Sequence, residues 1–168
     1  MEEVSLQEML AAREHRSALQ IRLLQQYKKS LISFTLNIPG PVKVPDGVPQ
    51  AFATGCRRIE ALLKDRLVLV QHMETIKEKT GYEAFYCIDA NPEFIKTLMV
   101  TLEDQDRLGR LFDIDVIRPD GSKVSREELG RPSRTCLLCK EPAHACSRSR
   151  RHSVAELTAE IKSEAKRS

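Results

Sequence analysis

The chain has no tryptophan, and its aromatic content is 5%. Proteins that grip single-stranded nucleic acid by stacking bases need rows of aromatic faces, so that mode of binding is disfavoured. Long apolar runs are also missing. No stretch approaches the ~20 residues of a membrane-spanning helix. Neither sign of charge dominates, since the formal net charge is +3, which is too small to imply a nucleic-acid partner by itself. The opening Met1-Glu2-Glu3 is acidic and runs into a polar helical stretch, unlike a secretory signal. With five cysteines, an odd number, and no such signal, the expectation is reduced thiols and a cytoplasmic setting.

What is present fits a water-soluble globular chain of 168 residues, 41% hydrophobic and 30% charged, long enough for one domain with a real core. We expect a single domain over 1–168, with an N-terminal helix in 1–30, an Arg- and Cys-rich loop over 129–152 and a C-terminal helix over 153–168.

The local signals give an α+β pattern. Ser5-Leu6-Gln7-Glu8 has the form of a capping box. The helix after it carries Leu6, Met9, Leu10, Ile21, Leu24 and Tyr27 at helical spacing. Arg13-Glu14-His15-Arg16 interrupts the stripe, as a solvated face or as a surface offering Arg13, Arg16 and Gln20 to an anion. Leu31 to Ile38 reads as a strand stopped by Asn37-Ile38-Pro39-Gly40-Pro41. A helix starts at Pro49 and runs to about Asp65, burying Phe52, Ile59, Leu62 and Leu63. Val68 to Glu78 reads as a second helical stretch with Gly81 as its C-cap. Ala84 to Ile88 reads as a short strand. Asn91-Pro92 then opens a helix that turns Phe94, Ile95 and Leu98 inward.

The stretch Phe112-Asp113-Ile114-Asp115-Val116 carries the clearest chemistry. Its apolar residues fall on one face of a strand and its two aspartates on the other. Asp is depleted in strands, so the pair is either a wet edge-strand face or a ligand set. Two carboxylates at i and i+2 suit Mg²⁺, which takes oxygen ligands and is often completed by substrate phosphates. Arg118-Pro119-Asp120-Gly121-Ser122 is a tight turn, and Lys123-Val124-Ser125 reads as its return strand.

Beyond it the charge becomes one-sided. Arg131, Arg134, Lys140, Arg148, Arg150 and Arg151 face only Glu141, which suits a polyphosphate or an acidic partner. Cys136-Leu137-Leu138-Cys139 supplies half a zinc site, but His144, Cys146 and His152 lack the spacing of a second pair. Zinc is therefore the weaker reading of this loop.

Three segments in order resemble one family. They are Asn37-Ile38-Pro39-Gly40-Pro41 with Lys43, Gly109-Arg110-Leu111-Phe112-Asp113-Ile114-Asp115-Val116, and Cys136-Leu137-Leu138-Cys139 through Ala143-His144-Ala145-Cys146 to Arg148, Arg150, Arg151 and His152. The family is the apo-citrate lyase phosphoribosyl-dephospho-CoA transferases, also called holo-citrate lyase synthases. The resemblance implies transfer of a phosphoribosyl-dephospho-CoA group from triphosphoribosyl-dephospho-CoA to a serine of the acyl carrier protein subunit of apo-citrate lyase, with release of diphosphate. It implies an α+β domain with a mixed β-sheet and flanking helices, nucleotidyltransferase-like, in which Asp113 and Asp115 hold Mg²⁺. Arg110 would stabilise the leaving group. Lys43, Arg148, Arg150, Arg151 and His152 would contact substrate. Neither nucleic acid nor a membrane is expected as a partner. The nucleotidyltransferase pattern usually has a Gly-Ser turn and a third carboxylate. The turn is missing, and Asp89, Glu93, Glu103 and Asp104 all remain open for the third carboxylate. The rival readings are a zinc-loop module binding RNA or an acidic protein, and a nucleotidyltransferase acting on another carrier protein, such as that of malonate decarboxylase.

Overall fold

Ser5 starts the first helix as its sequence predicts. Its hydroxyl accepts the Glu8 N–H at 3.1 Å, and the Glu8 carboxylate accepts the Ser5 N–H at 3.1 Å, so two otherwise orphaned donors are satisfied reciprocally. In the computed structural model, which describes residues 2–132, 134, 159, 160, 162 and 163, this helix, α1, spans Leu6–Tyr27. There follow β1 (Ser30–Leu36), α2 (Val48–Asp65), β2 (Leu69–Glu78), β3 (Gly81–Asp89), α3 (Pro92–Asp104) and β4 (Phe112–Ile117). Ala159, Glu160, Lys162 and Ser163 are helical.

The strands form one sheet in the order β2-β3-β1-β4. The α+β class holds, but the sheet is antiparallel at every pairing rather than mixed. The reason lies in the crossovers. The helix α2 returns the chain parallel to β1, yet β3 is inserted between β1 and β2. Likewise β1 separates β3 from β4, so the parallel strands never touch. This β-α-β-β-α-β order is the split βαβ, or ferredoxin-like, connectivity.

Two apolar layers cover the sheet. On one face Ile32, Phe34, Ile114 and Val116 pack with Ala51, Phe52 and Ile59 of α2 and with Ile95, Leu98 and Met99 of α3. Phe34 stacks on Phe52 and meets Phe112 edge-on, with ring centroids 5.4 and 5.3 Å apart. Each such buried ring contributes roughly 1.5–3 kcal/mol by transfer. Gly55 permits this approach, since a Cβ there would lie 2.3 Å from the Phe34 ring. On the other face α1 sets Leu23 and Leu24 against Leu31, Phe85, Cys87 and Ile117.

Several local expectations are corrected. The stretch over 68–78 is the edge strand β2, not a helix, and Gly81 begins β3 at φ +132° in a hairpin turn, not a C-cap. The residue Gln71 is an extra one in β2, because Val70 pairs with Ile88 and His72 with Cys87. That bulge puts Val70 and Met73 on one face at a spacing of three, and Ile76 follows three further on from the opposite face, so the apolar residues imitate helical period. Phe94 is exposed while Ile95 and Leu98 are buried. On α1, Leu6, Leu10 and Ile21 are exposed and the unpredicted Leu23 is buried. The turn after β4 forms as expected: Arg118 N–H donates to the Ser122 carbonyl at 2.7 Å and Gly121 N–H to the Arg118 carbonyl at 2.8 Å. Its return segment pairs only through the single bridge Ile117–Lys123.

Candidate active site

Strand β4 delivers the two aspartates as its alternation dictates. Phe112, Ile114 and Val116 are fully buried against α2 and α3, while Asp113 is exposed and Asp115 half-buried on the opposite face. With same-face neighbours ~6–7 Å apart along the strand, the carboxylates stand side by side. Register identifies their neighbours. Ser33 lies beside Asp115 and Thr35 beside Asp113, and on the far side of β1 Thr35 pairs with Glu83. Asp113, Thr35 and Glu83 therefore form a row across three strands.

The edge of β4 is rigid although no further strand pairs with it among the described residues. Lys96 Nζ donates to the Ile114 carbonyl at 2.8 Å, and Glu103 Oε2 accepts the Ile114 N–H at 2.9 Å. Both side chains come from α3 and both are buried. Arg126 closes the network, donating to Glu103 at 2.7 Å and Asp104 at 3.1 Å. Arg134 donates to the carbonyls of Arg110, at 2.8 Å, and of Phe112.

Helix α1 covers only part of the aspartate face. Gln20 donates to Ser33 Oγ at 3.0 Å, and Arg16 Nε donates to Glu83 Oε1 at 2.5 Å. The helix leaves open a cleft of about 140 Å³ whose wall includes Arg13, Arg16, Thr35, Lys43, Glu83 and Asp113. Lys43 Nζ donates to the Ile38 carbonyl at 2.8 Å. Desolvation first, and the Arg13 charge second, pull the Lys43 amine below its ordinary range. At Asp113, desolvation first and the Asp115 carboxylate second push the carboxyl up, against the opposing pull of Arg134.

The donor set can be tested for a divalent ion. Asp115 meets Lys123 at 3.2 Å, and Asp113 meets Arg134 at 3.9 Å. No group of three or more His, Cys, Asp or Glu gathers among the described residues. Two all-oxygen ligands on a fixed strand suit Mg²⁺ completed by water and phosphate better than zinc. Of the four carboxylates left open by the sequence, Glu103 comes nearest the pair, since Arg134 lies 4.0 Å from it and 3.9 Å from Asp113, but each of the four has a cation of its own. Asp89 pairs with Lys29, Glu93 with Arg118, and Glu103 and Asp104 with Arg126. The acidic group that shares the cleft with Asp113 is Glu83, which the sequence reading missed. Its place on the aspartate face follows only from the register across β1, Thr35 pairing with Glu83 on one side and Asp113 on the other.

Of the residues predicted to handle substrate, Lys43 and Asp113 come together in the cleft. Arg110 lies half-buried in the 3-10 turn Gly109–Leu111 that leads into β4. Arg148, Arg150, Arg151 and His152 lie outside the described residues, as do Cys136, Cys139, His144 and Cys146, so the zinc reading is not located. Arg13 and Arg16, whose anion-facing role was one of two readings, both line the cleft.

An acidic strand held rigid beside a cationic cleft describes a small α+β protein suited to handling phosphate esters. Comparison with known proteins makes this specific. The family model described as apo-citrate lyase phosphoribosyl-dephospho-CoA transferase matches residues 4–168, and the chain belongs to that family. A relative from Vibrio cholerae serotype O1 (strain M66-2), named "Probable apo-citrate lyase phosphoribosyl-dephospho-CoA transferase", is 40% identical over 159 residues, covering 94% of this chain and 89% of its own. A protein of the same name from Streptococcus pyogenes serotype M18 is 37% identical over 166 residues, covering 95% and 84%. The Citrobacter koseri apo-citrate lyase phosphoribosyl-dephospho-CoA transferase is 35% identical over 154 residues, covering 92% and 84%.

Proposed function

We propose that this chain transfers the phosphoribosyl-dephospho-CoA group from triphosphoribosyl-dephospho-CoA to a serine of the acyl carrier protein subunit of apo-citrate lyase. Membership in the transferase family over nearly the whole chain carries this reading. The carboxylate pair beside the cationic cleft supports it. In the reaction a bond forms between the serine Oγ and the α-phosphorus. The bond from that phosphorus to the diphosphate oxygen breaks. The serine proton passes to a carboxylate or to water.

Asp113 and Asp115 would hold Mg²⁺, which when bound neutralises phosphoryl oxygens and favours attack by a hydroxyl. Lys43 and Arg110 are placed to meet phosphate charge, and Arg148, Arg150, Arg151 and His152 are proposed as further substrate contacts from the motif they share with the family. A nucleotidyltransferase-like arrangement is part of the same proposal, supported by the fixed Asp-x-Asp strand. The reaction needs neither nucleic acid nor membrane, and among the described residues no helix is long and apolar enough to cross one. A cytoplasmic setting is part of the same proposal. Family membership disfavours the zinc-loop binding module.

The test is the intact mass of apo-carrier protein after incubation with this protein, triphosphoribosyl-dephospho-CoA and Mg²⁺, with and without chelator. The expected result is a gain of one phosphoribosyl-dephospho-CoA group that chelator abolishes. No gain on the citrate lyase carrier, or a gain only on a malonate decarboxylase carrier, would overturn the assignment.

A further inference from the structure

The cleft beside Asp113 is cationic in a way that the fold does not require. Arg16 is neutralised by Glu83. Arg13 is exposed on α1 and has no ion-pair partner among the described residues. Lys43 has only the neutral Ile38 carbonyl, and its partly desolvated amine lies close enough to Arg13 to feel its charge. Against three cations the wall sets two carboxylates, Glu83 held by Arg16 and Asp113 lying 3.9 Å from Arg134, so the charges of Arg13 and Lys43 are in surplus. Lys43 also ties down the turn at Ile38, but Arg13 holds no element in place by charge, and the surplus suits an anionic ligand.

The aspartates add a direction. The cleft wall includes Asp113 and not Asp115. Asp115 lies further along β4, beside Ser33 and Lys123. The cavity therefore meets the aspartate pair at its Asp113 end.

We propose that Arg13 and Lys43, with Arg16 at the wall, form the subsite for the diphosphate portion of the donor, which becomes the leaving group. Guanidinium and ammonium groups match a diphosphate, a compact polyanion, by charge-assisted hydrogen bonds. As the phosphorus–oxygen bond breaks, the electron pair stays with diphosphate, and the two cations meet the charge that develops there. The naming of diphosphate as leaving group rests on the transfer reaction proposed above. The anion site itself does not.

The experiment is calorimetric titration of the full chain with inorganic diphosphate in Mg²⁺, without donor or carrier. Wild type should bind, and Arg13→Ala and Lys43→Met should each weaken binding about tenfold or more, the scale of a lost charged hydrogen bond. Arg22→Ala is the control, because Arg22 pairs with Glu74 at 3.0 Å on β2, and it should bind as wild type. Arg13 is exposed, so Arg13→Ala should fold normally even where Lys43→Met does not. Absence of binding to wild type at millimolar diphosphate, or unchanged binding by Arg13→Ala, would overturn the subsite. Transfer activity with no Arg13-dependent binding would remove the subsite and leave the reaction standing. Arg13-dependent binding without transfer to any carrier would leave an anion site and overturn its assignment to the leaving group.

Discussion

Lys96 and Glu103 hold both backbone groups of one residue: Lys96 Nζ donates to the Ile114 carbonyl at 2.8 Å, and Glu103 Oε2 accepts the Ile114 N–H at 2.9 Å. Ile114 is the residue between the two aspartates. These side chains do for the edge of β4 what a fifth strand would do, and they fix the pleat that aims Asp113 and Asp115. Glu103 is tolerable as a buried charge because Arg126 also holds it, at 2.7 Å.

Lys96→Met keeps the length of the side chain and removes its donor. The Ile114 carbonyl would be left buried without a partner, at a cost of about 1–3 kcal/mol. We expect a lower melting temperature and a higher Mg²⁺ concentration for half-maximal transfer. The control is Ile59→Val, a core change that lowers melting temperature without touching β4. It should leave the Mg²⁺ dependence where it is in wild type.

Asp113→Asn and Asp115→Asn should each reduce transfer to background in the intact-mass assay. Both side chains face away from the apolar core, so thermal unfolding should shift little. Full activity in either variant would remove that residue from the mechanism.

Gly109 sits where the 3-10 turn crosses the C-terminal end of α3. A Cβ there would lie 2.2 Å from the Leu102 carbonyl oxygen and 3.0 Å from that of Glu103. Backbone oxygens cannot rotate aside, so Gly109→Ala should destabilise by about 1–3 kcal/mol, the range for overpacking. Because Glu103 also holds Ile114, activity should fall by more than the loss of folded protein explains. Comparing specific activity per folded molecule, from circular dichroism, with melting temperature checks this.

Asp106 makes a pH prediction. Burial pushes its carboxyl up, but two hydrogen bonds from Arg58, at 3.0 and 3.1 Å, and the Gly109 N–H at 2.8 Å outweigh that and hold it below the ordinary range. A lowered folded pKa contributes stability that is fully present above the unfolded value, near ~3.9. That contribution is lost as pH falls through the lower folded value. The pair is partly exposed, so the effect should be about 1 kcal/mol or less. Melting temperature followed from about pH 6 to about pH 2 should fall less steeply for Asp106→Asn than for wild type.

Some elements announce themselves locally. Ser5 and Glu8 satisfy each other within one turn. Asn91 accepts the Phe94 N–H at 3.0 Å, with Pro92 behind it. The alternation over 112–116 states which face is buried. Each of these depends on residues a few positions apart, so the sequence carries them whole. The edge strand β2 failed this test because most of it is exposed. No fully buried face forces its residues to alternate in polarity, and its bulge at Gln71 interrupts the period of two once, between Val70 and Met73. The α1 stripe misled for a related reason. Only its C-terminal half packs on apolar sheet residues, while Arg13, Arg16 and Gln20 attend the polar half of that face.

By itself the sequence determined the family, the acidic strand and the caps that start two helices, because each is written in contiguous or regularly spaced residues. Only the tertiary structure decided what surrounds the aspartates. Arg16 and Glu83 are 67 residues apart and Lys96 and Ile114 are 18 apart. The first meeting depends on α1 lying across the sheet at β3, and the second on α3 packing against β4. The order of packing sets those contacts, and no local spacing encodes it.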